Sequence, residues 1–167
     1  MDFRSKVIPL AHLADWRAGW RARGQRLVVT NGCFDLLHLG HATYLEAARR
    51  LGDGLLVGVN GDAAVQALKG PGRPLNGEAD RAALVAALEA VAAVTVFPEV
   101  TATRFLTLAG PDIYVKGGDY TLATLNQEER RAVEGAGGRI VLLPLVPGKS
   151  TRGLVRQMQQ PPGSVPP

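Results

Sequence analysis

Leu27-Val-Val-Thr-Asn-Gly-Cys-Phe-Asp-Leu-Leu-His-Leu-Gly-His41 decides the fold. Its apolar opening, residues 27–30, reads as a buried strand. A few residues later His38-Leu39-Gly40-His41 stands where a helix over 42–51 should begin. Strand, turn and helix in that order form the repeating unit of a parallel sheet, and the rest of the chain repeats it. Further strands are predicted over 55–59, 94–97, 113–115 and 140–143, with helices over 79–91, 103–109, 127–134 and 150–159. Strands this uniformly apolar are covered on both sides, so the expected class is α/β: a Rossmann-like parallel sheet with helices on both faces. In such sheets ligands gather beyond the carboxyl ends of the strands, where the opening stretch lies.

The chain has 167 residues, 46% of them hydrophobic, enough for one substantial core. Residues 26–160 are assigned to one domain. Residues 1–25 form an N-terminal helical extension, with a helix over 10–23 that places Leu13, Trp16 and Trp20 along one side. That side is expected to pack on the domain or on a sister subunit in a homodimer. The Pro-rich end, residues 161–167, reads as a disordered tail. A net charge of +4 with scattered arginines suits small phosphorylated molecules better than nucleic acid. The single cysteine, Cys33, excludes an internal disulfide and a cysteine-based zinc cluster. The first six residues lack the apolar core of a signal peptide, and no run suits a bilayer span, so the expected compartment is the cytoplasm, with no membrane partner.

His38 and His41 flank Gly40 at a predicted helix start, where free backbone N–H groups and the positive end of the helix dipole face outward. Gly40, lacking a β-carbon, lets a phosphate approach the backbone, and the imidazoles donate hydrogen bonds to its oxygens. Zinc is the alternative. The only other histidine, His12, lies far off in the N-terminal segment, and no further ligand has suitable spacing, so phosphate handling is favoured and no direct protein ligation of a metal is expected.

The pattern Gly32-x-Phe34-Asp35-x-x-His38-x-Gly40-His41 resembles the signature of the cytidylyltransferase-like nucleotidyltransferases. Within them, Thr30 to Asp35, Leu68-Lys-Gly-Pro-Gly-Arg-Pro74, Val115-Lys-Gly-Gly-Asp-Tyr120 and Gly148-Lys-Ser-Thr151 are similar to strings of the adenylyltransferases that make ADP-heptose, in carbohydrate metabolism. The resemblance implies transfer of AMP from ATP to a sugar 1-phosphate, with release of pyrophosphate and with Mg2+ carried by ATP. It casts His38, His41 and Lys69 as catalytic, with Lys69 on a flexible segment ending in Gly70-Pro-Gly72. Nucleotide binding falls to Gly32, Cys33, Phe34, Asp35, Gly40, Lys116, Gly117, Gly118, Asp119, Ser150 and Thr151. Asp35 is preferred as the residue that orders the strand-to-helix turn, over an approach to magnesium. Cys33 is read as structural, with its backbone N–H near phosphate. Asp62, Arg73 and Arg81 fall to the acceptor side, although helix capping is the simpler role for Asp62 and a solvated helix side chain an equal one for Arg81.

Two departures matter. Val96-Phe-Pro-Glu-Val-Thr-Ala-Thr103 replaces the acidic Glu-Asp-Thr-Pro string of the heptose enzymes, which leaves the sugar open. Leu145-Val146 stands where cytidylyltransferases carry Arg-Thr, which favours ATP over CTP. The alternatives are a cytidylyltransferase acting on glycerol 3-phosphate or a similar phosphorylated alcohol, and a non-catalytic nucleotide-binding regulator. With no room for a fused sugar kinase in 167 residues, a separate kinase is expected to supply the 1-phosphate.

Overall fold

The five apolar runs form one sheet in a computed structural model that describes residues 2–118, 120–144, 151, 153 and 155. The strands are β1 Leu27–Gly32, β2 Gly54–Asn60, β3 Ala93–Phe97, β4 Ile113–Gly117 and β5 Arg139–Leu143. They lie in the order β3-β2-β1-β4-β5, and every pairing is parallel. Val28 is held in register with Leu55 on one side and Ile113 on the other. The chain winds outward from β1 through β2 to β3, then returns to the far side of β1 for β4. The crevice between the ends of β1 and β4 is therefore the switch point at which such sheets bind ligands.

Alternation along the strands divides the core in two. Val28, Val57, Val94 and Val115 pack against Leu45 and Ala48 of α2 (Leu39–Arg49) and Ala82 and Val85 of α4 (Glu78–Ala86). Leu27, Val29, Leu56 and Tyr114 face the other way, toward α1 (Leu13–Ala22), α5 (Thr103–Ala109) and α6 (Gln127–Gly135). Each fully buried leucine or valine contributes roughly 1.5–3 kcal/mol, so these two layers hold the strand ends at fixed positions. Of the two placements open to the N-terminal helix, packing on the domain is observed. Leu13 is fully buried, Trp16 and Trp20 lie on the second core layer, and Val7 bridges to Val94. The Trp20 ring occupies the space where a β-carbon on Gly54 would stand. Arg17, itself buried, fixes the helix by donating to Gly110 O at 3.0 Å and Asp112 Oδ2 at 2.8 Å.

Three local differences from the sequence reading bear on the site. Helix α2 begins at Leu39 rather than at residue 42, with His38 as its N-cap, so the histidines stand on the first turn itself. Lys69, expected on a flexible segment ending in Gly70-Pro-Gly72, instead closes helix α3 (Asp62–Lys69). Ala63, Ala64, Ala67, Leu68 and Gln66 are strong helix formers, and the helix is short, eight residues of which Ala64 and Val65 are buried. Helix α4 stops at Ala86, short of residue 91, because turn bonds from Leu88 N to Val85 O and from Val91 N to Leu88 O lead the chain into β3. Thr151, Gly153 and Val155 are helical, as expected for a closing helix. The rest of that helix and the tail lie outside the described residues.

Candidate active site

Beyond β1 the chain makes a turn whose one strained residue is Phe34, at φ +48°, a left-handed conformation uncommon outside glycine. The strain is compensated by burial: the Phe34 ring is 6% exposed and lies 5.2 Å from the His41 ring. It occupies the side of Gly32 on which a β-carbon would project, and this explains the glycine. His38 and His41 stack at 3.8 Å with planes 20° apart. No acidic residue occupies the first turn of α2, and no side chain caps it. The His41 and Ala42 amides bond back to His38 O, and the N–H groups of Leu39 and Gly40 are left for an anion, in a field that favours one.

Burial, helped by the neighbouring His38 and opposed by the Leu36 backbone, lowers the pKa of His41 to about 4. Its Nδ1 is shielded from water and makes no well-formed hydrogen bond among the described residues. His41 is thus held neutral at pH 7, and a polyanion beside it would reverse that preference by favouring imidazolium. The linkage has a definite sign. An unfolded histidine titrates near 6.5 and this one near 4, so between those values the unfolded chain binds the extra proton. The His41 contribution is complete above pH 6.5 and is lost as pH falls toward 4. Without nucleotide, the urea midpoint is expected to fall between pH 7 and pH 5, His41 accounting for at most about 2 kcal/mol. A His41→Gln variant should fall by less over the same interval, and an equal fall would contradict the assignment.

Asp35 is 6% exposed, and its carboxylate bonds the segment 73–76. Oδ2 accepts from Arg73 Nη1 at 2.7 Å, and Oδ1 accepts from the backbone N–H of Leu75 at 2.7 Å and of Asn76 at 3.1 Å. Burial alone would raise its pKa, but the Arg73 guanidinium and these two amides outweigh it and hold the carboxyl below its ordinary value. This corrects the expected turn-ordering role: the partners belong to the segment after α3, about forty residues along the chain.

Arg81 also departs from expectation. Neither a phosphate clamp nor a solvated side chain, it is fully buried. Nε donates to Asn76 O at 2.9 Å, Nη1 to Cys33 O, and Nη2 to Asn60 O and Asp62 Oδ1, both at 2.8 Å. One guanidinium thereby ties together the loops after β1, β2 and α3. Asp62 does not cap its helix, since Gly61 is the N-cap and makes no side-chain bond. The Asp62 N–H is instead satisfied by Glu78 Oε2 at 2.8 Å. Asp62 thus bonds Arg81, and of the two arginines expected on the acceptor side only Arg73 keeps part of its side chain exposed.

The cations converge on the same loop. Lys69, exposed at the end of α3, acts on the half-buried Cys33 thiol together with Arg81 and Lys116, although burial raises the Cys33 pKa overall. A raised pKa leaves the thiol protonated, consistent with a structural cysteine. On β4, Lys116 Nζ donates to Asn31 Oδ1 at 3.0 Å and lies 3.6 Å from Glu129 Oε2. Burial lowers its pKa while Glu129 opposes the shift. The Tyr114 hydroxyl is 2.7 Å from Asn31 Oδ1 and 2.9 Å from Glu129 Oε2, and Glu129 Oε1 accepts from Ala102 N. This network crosses the β1–β4 switch point and fixes where Lys116 stands. Gly117 serves packing on one side, because a β-carbon there would meet the Tyr44 ring. Tyr44 in turn bonds Thr30 Oγ1 at 2.8 Å and Val115 O at 3.1 Å. Gly118 has φ +127°, a conformation that side chains rarely adopt.

The structure therefore gathers Gly32, Cys33, Phe34, His38, Gly40, His41, Lys69 and Lys116 around the ends of β1 and β4, with Asp35 and Arg73 adjoining. Thr151 lies in the closing helix, and Asp119 and Ser150 lie outside the described residues. Sequence reasoning missed Asn31, Asn76, Tyr114 and Glu129. Only Asn31, inside the signature stretch, carried any signal.

A parallel α/β sheet with stacked imidazoles on a helix N-terminus at its carboxyl edge, and lysines converging from two other elements, has the architecture of a nucleotidyltransferase. Residues 29–151 match the cytidylyltransferase-like family model, and the chain belongs to that family. It is 48% identical over 158 residues to the bifunctional protein HldE of Methylobacillus flagellatus, an alignment covering 92% of this chain and 31% of that protein. It is 47% identical over 157 residues to the bifunctional protein HldE of Trichlorobacter lovleyi, covering 94% and 32%. The chain thus spans about a third of the length of these relatives. Among solved structures, the lipopolysaccharide core biosynthesis protein of Thermoplasma volcanium GSS1 superposes with a TM-score of 0.59 at 28% identity, covering 74% of this chain and 98% of that one. The pantoate-beta-alanine ligase of Francisella tularensis shares the fold alone, with a TM-score of 0.54 at 11% identity over 83% of this chain and 66% of that one.

Proposed function

We propose that the protein transfers AMP from ATP to a sugar 1-phosphate, heptose 1-phosphate being the favoured acceptor, and releases pyrophosphate with formation of an ADP-sugar. The observation that carries this reading is the stacked pair His38 and His41 on the uncapped first turn of α2. In-line attack of the sugar phosphate on the α-phosphorus needs no enzyme nucleophile. It requires two anions to be aligned and growing charge to be met by fixed donors. The imidazoles meet the α- and β-phosphates, Lys69 neutralises repulsion between donor and acceptor, and Lys116 holds the nucleotide at the switch point. Arg73 takes the acceptor phosphate, since among the described residues only its Nη1 is engaged and its side chain is 21% exposed.

Magnesium fits this reading as the counter-ion of the triphosphate. Both oxygens of Asp35, the carboxylate nearest the histidine turn in sequence, are already engaged. The ion would be held by phosphate oxygens and water, and when bound it neutralises charge on the leaving pyrophosphate. Among the described residues no helix is long and apolar enough to cross a membrane; the cytoplasm, which supplies ATP and sugar phosphates, is the compartment proposed for this reaction.

The test is incubation with each nucleoside triphosphate and a panel of phosphorylated acceptors, following pyrophosphate. Release is expected with ATP and a sugar 1-phosphate. Turnover confined to CTP and glycerol 3-phosphate would replace this reading with the cytidylyltransferase one. ATP binding without pyrophosphate from any acceptor would favour a regulator.

A further inference from the structure

We propose that Asp35, although it lies within the nucleotide signature, is a positioning residue for the acceptor: it holds Arg73 where the sugar phosphate arrives. This inference rests on the reading of Arg73 as the acceptor clamp.

Every side-chain hydrogen bond that the structure gives Asp35 runs to the segment 73–76. Besides the three made by its carboxylate, its main-chain oxygen accepts from Asn76 Nδ2 at 2.9 Å. None reaches the turn in which Asp35 itself sits. A role toward ribose hydroxyls or magnesium requires lone pairs aimed into the nucleotide crevice, and here both oxygens are directed at Arg73, Leu75 and Asn76.

The segment needs such an anchor. Gly70 and Gly72 flank Pro71 at φ +93° and +78°, and nothing lies within 4 Å of where their β-carbons would be. A chain so unrestrained does not by itself aim the side chain that follows it. Arg81 ties the end of the same segment, through Asn76 O, to Cys33 O of the signature turn. Arg81 thus sets the height of the loop, and Asp35 sets the direction of Arg73. Holding one Nη1 proton in a charge-assisted bond fixes the plane of the guanidinium and leaves its other donors for a dianion. The histidine turn and the acceptor clamp then move as one body, which is what alignment of two phosphates for in-line transfer requires.

The experiment is steady-state kinetics with ATP and the sugar 1-phosphate, together with calorimetric binding of ATP, on Asp35→Asn, Arg73→Ala, Arg73→Lys and the double variant Asp35→Asn/Arg73→Lys. Asp35→Asn keeps the shape and removes the charge. It is expected to raise the acceptor KM about ten-fold or more while the Kd for ATP moves less than about three-fold. The double variant should be no worse toward the acceptor than Arg73→Lys alone, because the two residues act in series. If Arg73→Ala leaves the acceptor KM unchanged, the acceptor reading of Arg73 fails. If Arg73→Ala raises it and Asp35→Asn does not, only the present inference fails. Weakened ATP binding in Asp35→Asn overturns it in favour of a nucleotide role. Should Asp35→Asn not fold, Asn76→Ala loosens the tether from its other end and should show the same split between substrates, whereas equal effects on both would overturn the inference.

Discussion

Replacing His41 by alanine is expected to reduce kcat/KM for nucleotidyl transfer roughly 100- to 1,000-fold while leaving a folded protein, the size of loss seen when a preorganised donor to a developing oxyanion is removed. The ring contributes little to stability. It stacks on His38 and touches Phe34, but its Nδ1 makes no well-formed hydrogen bond among the described residues, and burial holds it neutral against its ordinary preference. The loss should therefore fall on turnover more than on the melting temperature. Because the two rings act on one phosphate chain, removing His38 as well should cost far less than a second factor of the same size. Unfolding of His41→Ala at the assay temperature, or near-native turnover, would contradict the assignment.

The second large effect concerns Arg81. Replacing it by methionine leaves the carbonyls of Cys33, Asn60 and Asn76 and the Asp62 carboxylate without their donor. Removing one partner from a buried charge network of this kind costs about 3–5 kcal/mol. In a domain of this size that corresponds to a fall in melting temperature of about ten degrees. An acceptor-binding arginine would behave in the opposite way, giving a protein of native stability with a raised acceptor KM. Thermal unfolding of Arg81→Met distinguishes the two, and an unchanged transition would return Arg81 to the acceptor site.

These two residues mark what local sequence pattern reveals and what it does not. The strands were legible because buried parallel strands are continuous apolar runs. The placement of a histidine pair at a helix N-terminus was legible because the two histidines, the glycine between them and the helix start all fall within four residues. Arg81 was not legible as a structural residue, since an arginine early in a helix normally meets water and nothing nearby in sequence indicates that three loops close over it. Asp35 shows the same limit. Its neighbours in sequence suggest a turn, whereas its partners lie at residues 73–76, brought there by the β1–β2 pairing and by helix α3. The Lys116–Asn31–Tyr114–Glu129 network joins β1, β4 and α6, elements whose adjacency appears only once β4 is known to return beside β1. Helix α3 was missed for a different reason: it is only eight residues long and buries two of them, so it spans barely two turns of helical pattern between β2 and the Gly-Pro-Gly stretch.

The loops between these elements carry the candidate site residues, and their positions are set by buried polar groups as well as by apolar packing. Arg81 and Asp35 couple the histidine turn to the segment that bears Arg73, while Lys69 hangs from a separate helix across the Gly70 to Gly72 hinge. The histidine turn and the Arg73 segment are thus tied together, while Lys69 stands exposed at the end of α3.

The most direct measurement is a crystal structure of the protein with a non-hydrolysable ATP analogue and magnesium. Density for the α- and β-phosphates within hydrogen-bond distance of the His38 and His41 rings, over the first turn of α2, is the predicted result. A triphosphate bound away from both rings would contradict the account.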